Sequence, residues 1–185
     1  ELFPEQPGAA RAAALFGASV PNGCALLRLD AMRAFGLRYD ATLARAEDMA
    51  FWADALLKAG LQAVNLQEPL LRYRYTPAPH ARQWHMRALL GHVFPPLGIR
   101  AAGAQAALHA DLVYGGPTEP EAALRWLDAL WQIWVARYGH DEHMQRHVLV
   151  FMARILREAS ADAAQAERAA RLLRTLSLAA LAENI

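Results

Sequence analysis

The sequence predicts an α+β fold that is mainly helical and has two parts. Residues 1–80 mix short apolar runs with helical patterns, which is typical of a few short strands with helices against them. Residues 81–185 carry successive helical apolar stripes separated by Pro and Gly, which indicates a helical bundle. Alanine is abundant in both parts and favours helix over strand.

Composition excludes several classes of protein. The 185 residues are 55% hydrophobic and 20% charged, so the chain can bury a core. A net charge of +1 gives no indication of nucleic acid as a partner. No apolar run approaches the roughly 18 residues that a membrane span needs. The single cysteine, Cys24, excludes a disulfide framework and fits a reducing compartment; we expect it to be buried in a strand.

The first part is predicted to contain short strands and two helices. Apolar or alternating runs predict the strands: 24–29, 61–66 and 70–75. In the last run, Leu and Tyr alternate with Arg, so the two kinds of side chain are expected to face opposite ways. Helical spacing predicts helices over 30–35 and 46–59, each followed by a glycine that ends it.

The second part is predicted to be helical throughout. Its helical segments are expected over about 82–93, about 101–113, from about 118 onward, about 141–159 and about 162–182. Thr118 and Glu121 have the spacing of a capping box, so Thr118 is expected to cap the third of these helices.

Four short motifs follow one another over about fifty residues. They are Leu27-Arg28, Tyr39-Asp40, Glu47-Asp48 with Trp52, and Glu68-Pro69-Leu70-Leu71 followed by Tyr73-Arg74. In this order they resemble the second half of the GT-A domain in bacterial family 2 glycosyltransferases. The resemblance covers residues 16–80 well and the helical tail only loosely, through 97–99, His109 and Trp126-Leu127.

The resemblance implies a partial GT-A-type α/β segment in 1–80, which holds the acceptor and the catalytic base, and a helical domain in 81–185. The implied reaction transfers a sugar from a nucleotide-sugar donor to a saccharide or lipid-linked acceptor, in surface polysaccharide synthesis. It would take place in the cytoplasm, including the inner face of the membrane. Asp48 is then the catalytic base, and Glu47 holds the loop or touches the acceptor. A divalent cation, Mg²⁺ or Mn²⁺, is expected in the intact enzyme.

The chemistry explains why a carboxylate would be needed. An acceptor hydroxyl is a poor nucleophile until a base takes its proton. Acidic residues in the first turn of a helix are, however, also favoured by the helix dipole, so Glu47 and Asp48 have a purely structural interpretation too.

Three further residues are candidates for substrate binding, and each has an alternative. Trp52 follows Asp48 by one turn, and its ring could stack against an acceptor sugar, although helical spacing favours a core position. Arg74 and His80 could clamp the leaving diphosphate, or they could belong to a solvated strand edge.

Features of the family's front half are missing from this sequence. No two aspartates lie two residues apart, so the Asp-x-Asp metal motif is absent, and there is no Gly-rich phosphate loop. We therefore expect a fragment of a longer enzyme that binds no metal and has no transferase activity alone.

The sequence is also compatible with two other functions. The helical part could act as an interaction module or dimerise through a helix rich in tryptophan: Trp126, Trp131 and Trp134. A histidine cluster, His140, His143 and His147, could bind a metal, although no fourth ligand is evident and surface histidines are the favoured interpretation.

Overall fold

The structure, a computed structural model, describes residues 3–72, 74 and 80–182. The chain is mainly α, with 62% helix and no strand in those residues, which confirms the helical part of the predicted fold class. It forms two compact units, Glu1–Ala106 and Ala107–Ile185. Residues 81–106 therefore cluster with the N-terminal unit, whereas the sequence placed a domain boundary at residue 80. No helix of the described ranges is long and apolar enough to cross a membrane.

Within its described residues, the N-terminal unit contains four helices and shorter turns. The helices are α1 (Pro7–Ala13), α2 (Leu29–Ala34), α3 (Glu47–Ala53) and α4 (Ala81–Ala88). Two of them continue into a π-helical turn: α3 into Asp54–Lys58 and α4 into Leu89–Val93. Short 3₁₀ turns lie at Asn22–Cys24 and Pro95–Leu97.

Helix α3 is the centre of the N-terminal unit. All its residues from Met49 to Ala53 are buried, because apolar side chains occupy every face after the first turn. The π-helical turn adds Ala55, Leu56 and Leu57 to the core. Gly60 then takes a left-handed conformation with φ +68°, which ends the helical chain where the sequence predicted it.

The three predicted strands are not formed in the described residues. Residues 22–24 wind into a 3₁₀ turn, α2 begins at Leu29, and 61–66 has no regular structure. A strand requires a neighbour that pairs with its N–H and C=O groups, and within the described ranges the only backbone bond made by 61–66 to a distant segment runs from Asn65 N to Glu5 O, 3.4 Å. Cys24 is exposed, not buried as expected. Tyr73 and Tyr75 of the third run lie outside the described residues.

The segment 61–66 nevertheless has the burial pattern of a strand. Leu61, Ala63 and Asn65 point inward, and the residues between them are exposed. Asn65 is 7% exposed and fixes the segment to the start of the chain, because its side-chain amide donates to Pro4 O at 2.5 Å and Ser19 O at 3.1 Å. The segment thus has the alternating burial of a strand, but the sheet that a strand needs is not formed in the described residues.

The C-terminal unit is built on three mutually packed helices. These are α6 (Pro120–Tyr138), α7 (Glu142–Ala159) and α8 (Ala163–Leu173). Helix α5 (Gly103–Tyr114) spans the boundary of the two units, and the short α9 (Ala179–Ala182) packs on α7. Fully buried side chains from facing helices form the core: Leu124, Leu127, Trp134, Met144, Val148 and Ile155.

Two details of this unit differ from the sequence prediction. Glu119, not Thr118, is the N-cap of α6, and its carboxylate accepts from Glu121 N and Ala122 N. Pro120 explains the difference, because proline favours the first helical position. The helix predicted over 162–182 is divided into α8 and α9, since Leu178 N donates to Asp128 of α6 rather than within the helix.

Candidate active site

Glu47 and Asp48 are the first two residues of α3, and both are half-buried. Ala46 precedes them as the N-cap, with φ 60° and ψ 18°. This left-handed conformation is unfavourable for a residue with a Cβ atom, and the surrounding structure must hold it in place. The acidic pair is thus presented at the N-terminus of a helix whose remaining turns are buried.

The two carboxylate oxygens of Asp48 have different surroundings. Oδ1 accepts a hydrogen bond from Met49 N at 2.7 Å, whereas Oδ2 has no hydrogen bond among the described residues. One oxygen therefore fixes the orientation of the side chain, and the other retains its lone pairs. A carboxylate in this state can accept a proton from a neighbouring hydroxyl.

Tyr39 lies against α3, and Asp40 meets the π-helical turn that follows α4. The Tyr39 ring stacks on Phe51 of α3, with centroids 4.5 Å apart and an interplanar angle of 17°. Its hydroxyl donates to Asn22 Oδ1 at 2.7 Å. Two of the motifs that carry the resemblance, Tyr39-Asp40 and Glu47-Asp48, are therefore brought to one helix.

Asp40 has three hydrogen-bond donors. Oδ1 accepts from the Thr42 hydroxyl at 2.7 Å and from Thr42 N at 2.8 Å, and Oδ2 lies 3.1 Å from His92 Nε2. The Thr42 hydroxyl, the Thr42 N–H and His92 hold the pKa of Asp40 below its ordinary value, since each favours the charged carboxylate.

His92 is a residue that the sequence analysis missed. It lies in the π-helical turn after α4, and its second ring nitrogen, Nδ1, is 3.0 Å from Asp54 Oδ2. A lone histidine 38 residues from one carboxylate and 52 from the other leaves no local pattern in the sequence. Only the packing of α3 against the π-helical turn Leu89–Val93 brings the three together.

Trp52 is part of the core. It is 5% exposed and belongs to a cluster with Val20, Leu37, Phe51 and Ala55. Its ring meets Phe51 edge-on at 5.2 Å and 85°. This burial leaves no open ring face for a sugar, so the core interpretation of Trp52 replaces the substrate-binding one. Its indole N–H is buried without a partner in the described residues.

Arg74 and His80 are exposed and are not joined to the acidic pair. No hydrogen bond or ion pair within the described ranges connects either of them to Glu47 or Asp48. His80 has φ 68° and precedes α4 as its N-cap. Residues 75–79, which connect the two, lie outside the described residues. The role of Arg74 and His80 as a diphosphate clamp stays a prediction.

The three clustered histidines have separate surroundings. The His140 ring contacts Trp131 at 5.7 Å, and His143 N is capped by Asp141 at 2.9 Å. Burial is the main cause that lowers the pKa of His147, with His143 and Arg146 adding to it. In the part of the chain that the structure describes, no group of three or more His, Cys, Asp or Glu side chains is arranged to hold a metal ion.

The tryptophans of α6 face inward. Trp131 and Trp134 are 4% and 1% exposed, and Trp134 Nε1 donates to Asp141 Oδ2 at 3.2 Å. Trp126 is half-buried and donates from Nε1 to His109 Nδ1 at 3.1 Å. Two of the three rings are buried in the C-terminal unit and the third is half-buried; dimerisation through the helical region stays a prediction.

Comparison with known proteins finds no family model, curated protein or solved structure that matches the chain. The resemblance to family 2 glycosyltransferases therefore stays a prediction from the four sequence motifs.

Proposed function

We propose that this chain is the acceptor and catalytic-base part of a family 2 glycosyltransferase. The observation that carries the proposal is the placement of Glu47-Asp48 at the start of α3, with Tyr39 stacked on Phe51 of the same helix. The order of the motifs suggested this unit from sequence, and the contacts between Tyr39 and Phe51 support it independently of sequence order.

The proposed chemistry uses Asp48 as the base. The acceptor hydroxyl oxygen attacks the anomeric carbon of the donor sugar, and the bond from that carbon to the nucleoside diphosphate breaks. The hydroxyl proton passes to Asp48, whose Oδ2 has no other hydrogen bond among the described residues. Glu47, on the same first turn, is the second acidic group within the site. The described residues offer no ligand set for a divalent cation, so a Mg²⁺ or Mn²⁺ ion remains a prediction for the intact enzyme.

The outward side chains of the N-terminal unit support an α/β context for this site. Two stretches of chain, 24–29 and 61–66, pack on the cluster that contains Phe51 and Trp52. Their contacting residues are Ala25, Leu27, Leu61 and Ala63. Six of the eleven exposed large hydrophobic side chains in the described residues lie on these two stretches or beside them: Leu26, Leu29, Val64, Leu66, Leu70 and Leu71. One side of each stretch thus faces α3, and the other side exposes the apolar residues Leu26, Val64 and Leu66 together with the polar Arg28 and Gln62.

Side chains that point alternately to opposite sides are the pattern of a strand, and apolar residues on both sides are typical of a sheet that is covered on both faces. We propose that these two stretches pair with further strands in the complete enzyme, which would supply the nucleotide-sugar site. The enzyme would act on a saccharide or lipid-linked acceptor in the cytoplasm, including the inner face of the membrane.

The test is sugar transfer by the product of the complete gene, with Asp48→Asn as the variant. A lost general base lowers kcat by about 10²- to 10⁴-fold. Asp30→Asn is the matched control, because Asp30 also lies in the first turn of a helix and accepts from the next backbone N–H, Ala31 N, at 2.8 Å. It is expected to change kcat less than about twofold, because its contacts are local and exposed.

Equal kcat values for the Asp48→Asn and wild-type enzymes would show that Asp48 is only a favourable helix start. The chain by itself is expected to show no transferase activity and no calorimetric binding of a nucleotide sugar. Tight binding of UDP-sugar to the 185-residue chain would contradict that expectation.

A further inference from the structure

His92 bridges two carboxylates that lie on either side of α3 in the sequence. Its Nε2 is 3.1 Å from Asp40 Oδ2, and its Nδ1 is 3.0 Å from Asp54 Oδ2. The His92 side chain is 19% exposed, and those of Asp40 and Asp54 are 29% and 19% exposed. These bonds are therefore better shielded from water than surface ion pairs, and a bond to a charged group is stronger than a neutral one.

Both ring nitrogens of His92 are engaged. A doubly protonated ring donates to both carboxylates, whereas a neutral ring has one N–H and donates to only one of them. No asparagine or glutamine can reproduce this contact, because its amide nitrogen and oxygen lie at the same end of the side chain. The bridge consequently depends on the imidazole ring itself.

His92 and one end of its bridge, Asp54, lie in irregular stretches of helix. Asp54 begins the π-helical turn that follows α3, and His92 lies in the π-helical turn that follows α4. π-Helical turns are rare and occur frequently at functional sites. Here the two turns contact each other, and Asp54 and His92 form a hydrogen bond between them.

The other end of the bridge holds the loop that leads to the acidic pair. Between Asp40 and Ala46 only Leu43 is buried, with 8% exposure, so few apolar contacts define the path of this loop. The Asp40 carboxylate also closes the local turn, through Thr42 N and the Thr42 hydroxyl. Ala46 ends the loop in its left-handed conformation, directly before Glu47.

We infer that His92 is a positioning residue for Glu47 and Asp48. The effect of this positioning on catalysis rests on the proposed function, whereas its effect on the structure does not. The ring fixes the loop seven residues before Glu47 through Asp40, and it fixes the end of α3 through Asp54. With both sides held, the chain must enter α3 through the left-handed Ala46, which sets the direction of the Asp48 carboxylate. His92 itself does not touch the reacting atoms.

The first experiment uses the 185-residue chain and needs no activity. Amide hydrogen exchange is measured in the wild type, in His92→Gln and in His92→Ala, with His140→Gln as a matched control at an exposed histidine in the other unit. In both His92 variants the amides of 41–49 are expected to exchange about tenfold faster, the factor for losing hydrogen bonds to charged groups. Exchange in α6 and in the His140→Gln chain should stay at the wild-type rate.

Added imidazole provides a second readout that a general packing role would not produce. His92→Ala leaves a space at a partly exposed site, and free imidazole can form the same two bonds. Millimolar imidazole is expected to restore slow exchange at 41–49 in His92→Ala and to have no effect on His92→Gln, whose side chain fills the space. If His92→Ala fails to fold, His92→Gln alone still decides the question, through exchange confined to 41–49.

The second experiment measures transfer by the product of the complete gene. His92→Gln should lower kcat about tenfold and leave the donor KM within twofold, because the bridge orients the base and contacts no donor group. If exchange at 41–49 rises but Asp48→Asn retains full activity, the bridge stands and the proposed function fails. The positioning role alone would be overturned if His92→Gln showed wild-type exchange at 41–49 and wild-type kcat while the Asp48→Asn enzyme was inactive.

Discussion

Replacing Ala46 by glycine tests the backbone conformation that precedes the acidic pair. With φ 60° and ψ 18°, the Ala46 Cβ atom lies close to the following carbonyl group, which costs about 1–2 kcal/mol for a residue other than glycine. Glycine removes this cost but adds about 0.4–1 kcal/mol of conformational entropy to the unfolded chain. The net expectation for Ala46→Gly is a gain of about 0.5–1 kcal/mol in the free energy of unfolding.

Ala31→Gly is the control for this measurement. Ala31 lies inside α2 in the same unit, in a right-handed helical conformation, where glycine is about 0.5–1 kcal/mol less favourable than alanine. The same chemical change is thus expected to have opposite signs at the two positions. Native-state hydrogen exchange of the buried amides of α3, such as those of Met49 to Ala53, reports the stability of the N-terminal unit by itself.

The refuting result is a loss of stability in Ala46→Gly as large as that in Ala31→Gly. It would mean that Ala46 does not adopt the left-handed conformation in solution. The backbone that leads into Glu47 and Asp48 would then follow a different path from the one that the structure shows.

Two further predictions concern buried polar groups. Burial lowers the pKa of His85 to about 4, so the unfolded chain takes up a proton near pH 6.5 and the folded chain only near pH 4. The free energy of unfolding of the N-terminal unit should therefore fall by about 3 kcal/mol as the pH falls from about 6.5 to 4. When this free energy is measured against pH, the fall should be smaller in His85→Gln than in the wild type. Asp128, 6% exposed, accepts from Ser177, Leu178 N and Gln132. Urea unfolding of Asp128→Ala should show a loss of about 3 kcal/mol or more, because three donors lose a charged acceptor, and Asp128→Asn should lose less; a loss below about 0.5 kcal/mol would contradict this accounting.

Local patterns in the sequence predicted the helices well. The apolar spacing after Glu47 and the glycine at position 60 predicted a helix over 46–59, and the structure has Glu47–Ala53 followed by Asp54–Lys58. These signals act within a few turns of chain, so one sequence is enough to detect them. The predicted capping residue of α6 was wrong, because Pro120 shifts the N-cap from Thr118 to Glu119.

Long-range contacts account for what the sequence analysis missed. The run 61–66 predicted a strand, and its burial alternates as in a strand, but pairing requires a neighbouring strand, and none lies within the described residues. The aromatic spacing of Trp52 was compatible with either a sugar platform or a core position, and only its packing with Val20 and Leu37 placed it in the core.

The sequence by itself determined that a helix begins at Glu47-Asp48, because helical periodicity and a glycine stop are local properties of the chain. It also supplied the order of motifs on which the proposed sugar transfer rests. The tertiary structure alone decided how that helix is held. His92 meets Asp40 and Asp54 across 52 and 38 residues, and such a contact exists only after the two π-helical turns have packed together. That packing holds the loop before α3 and the end of α3 together, and the two acidic residues lie between these two points.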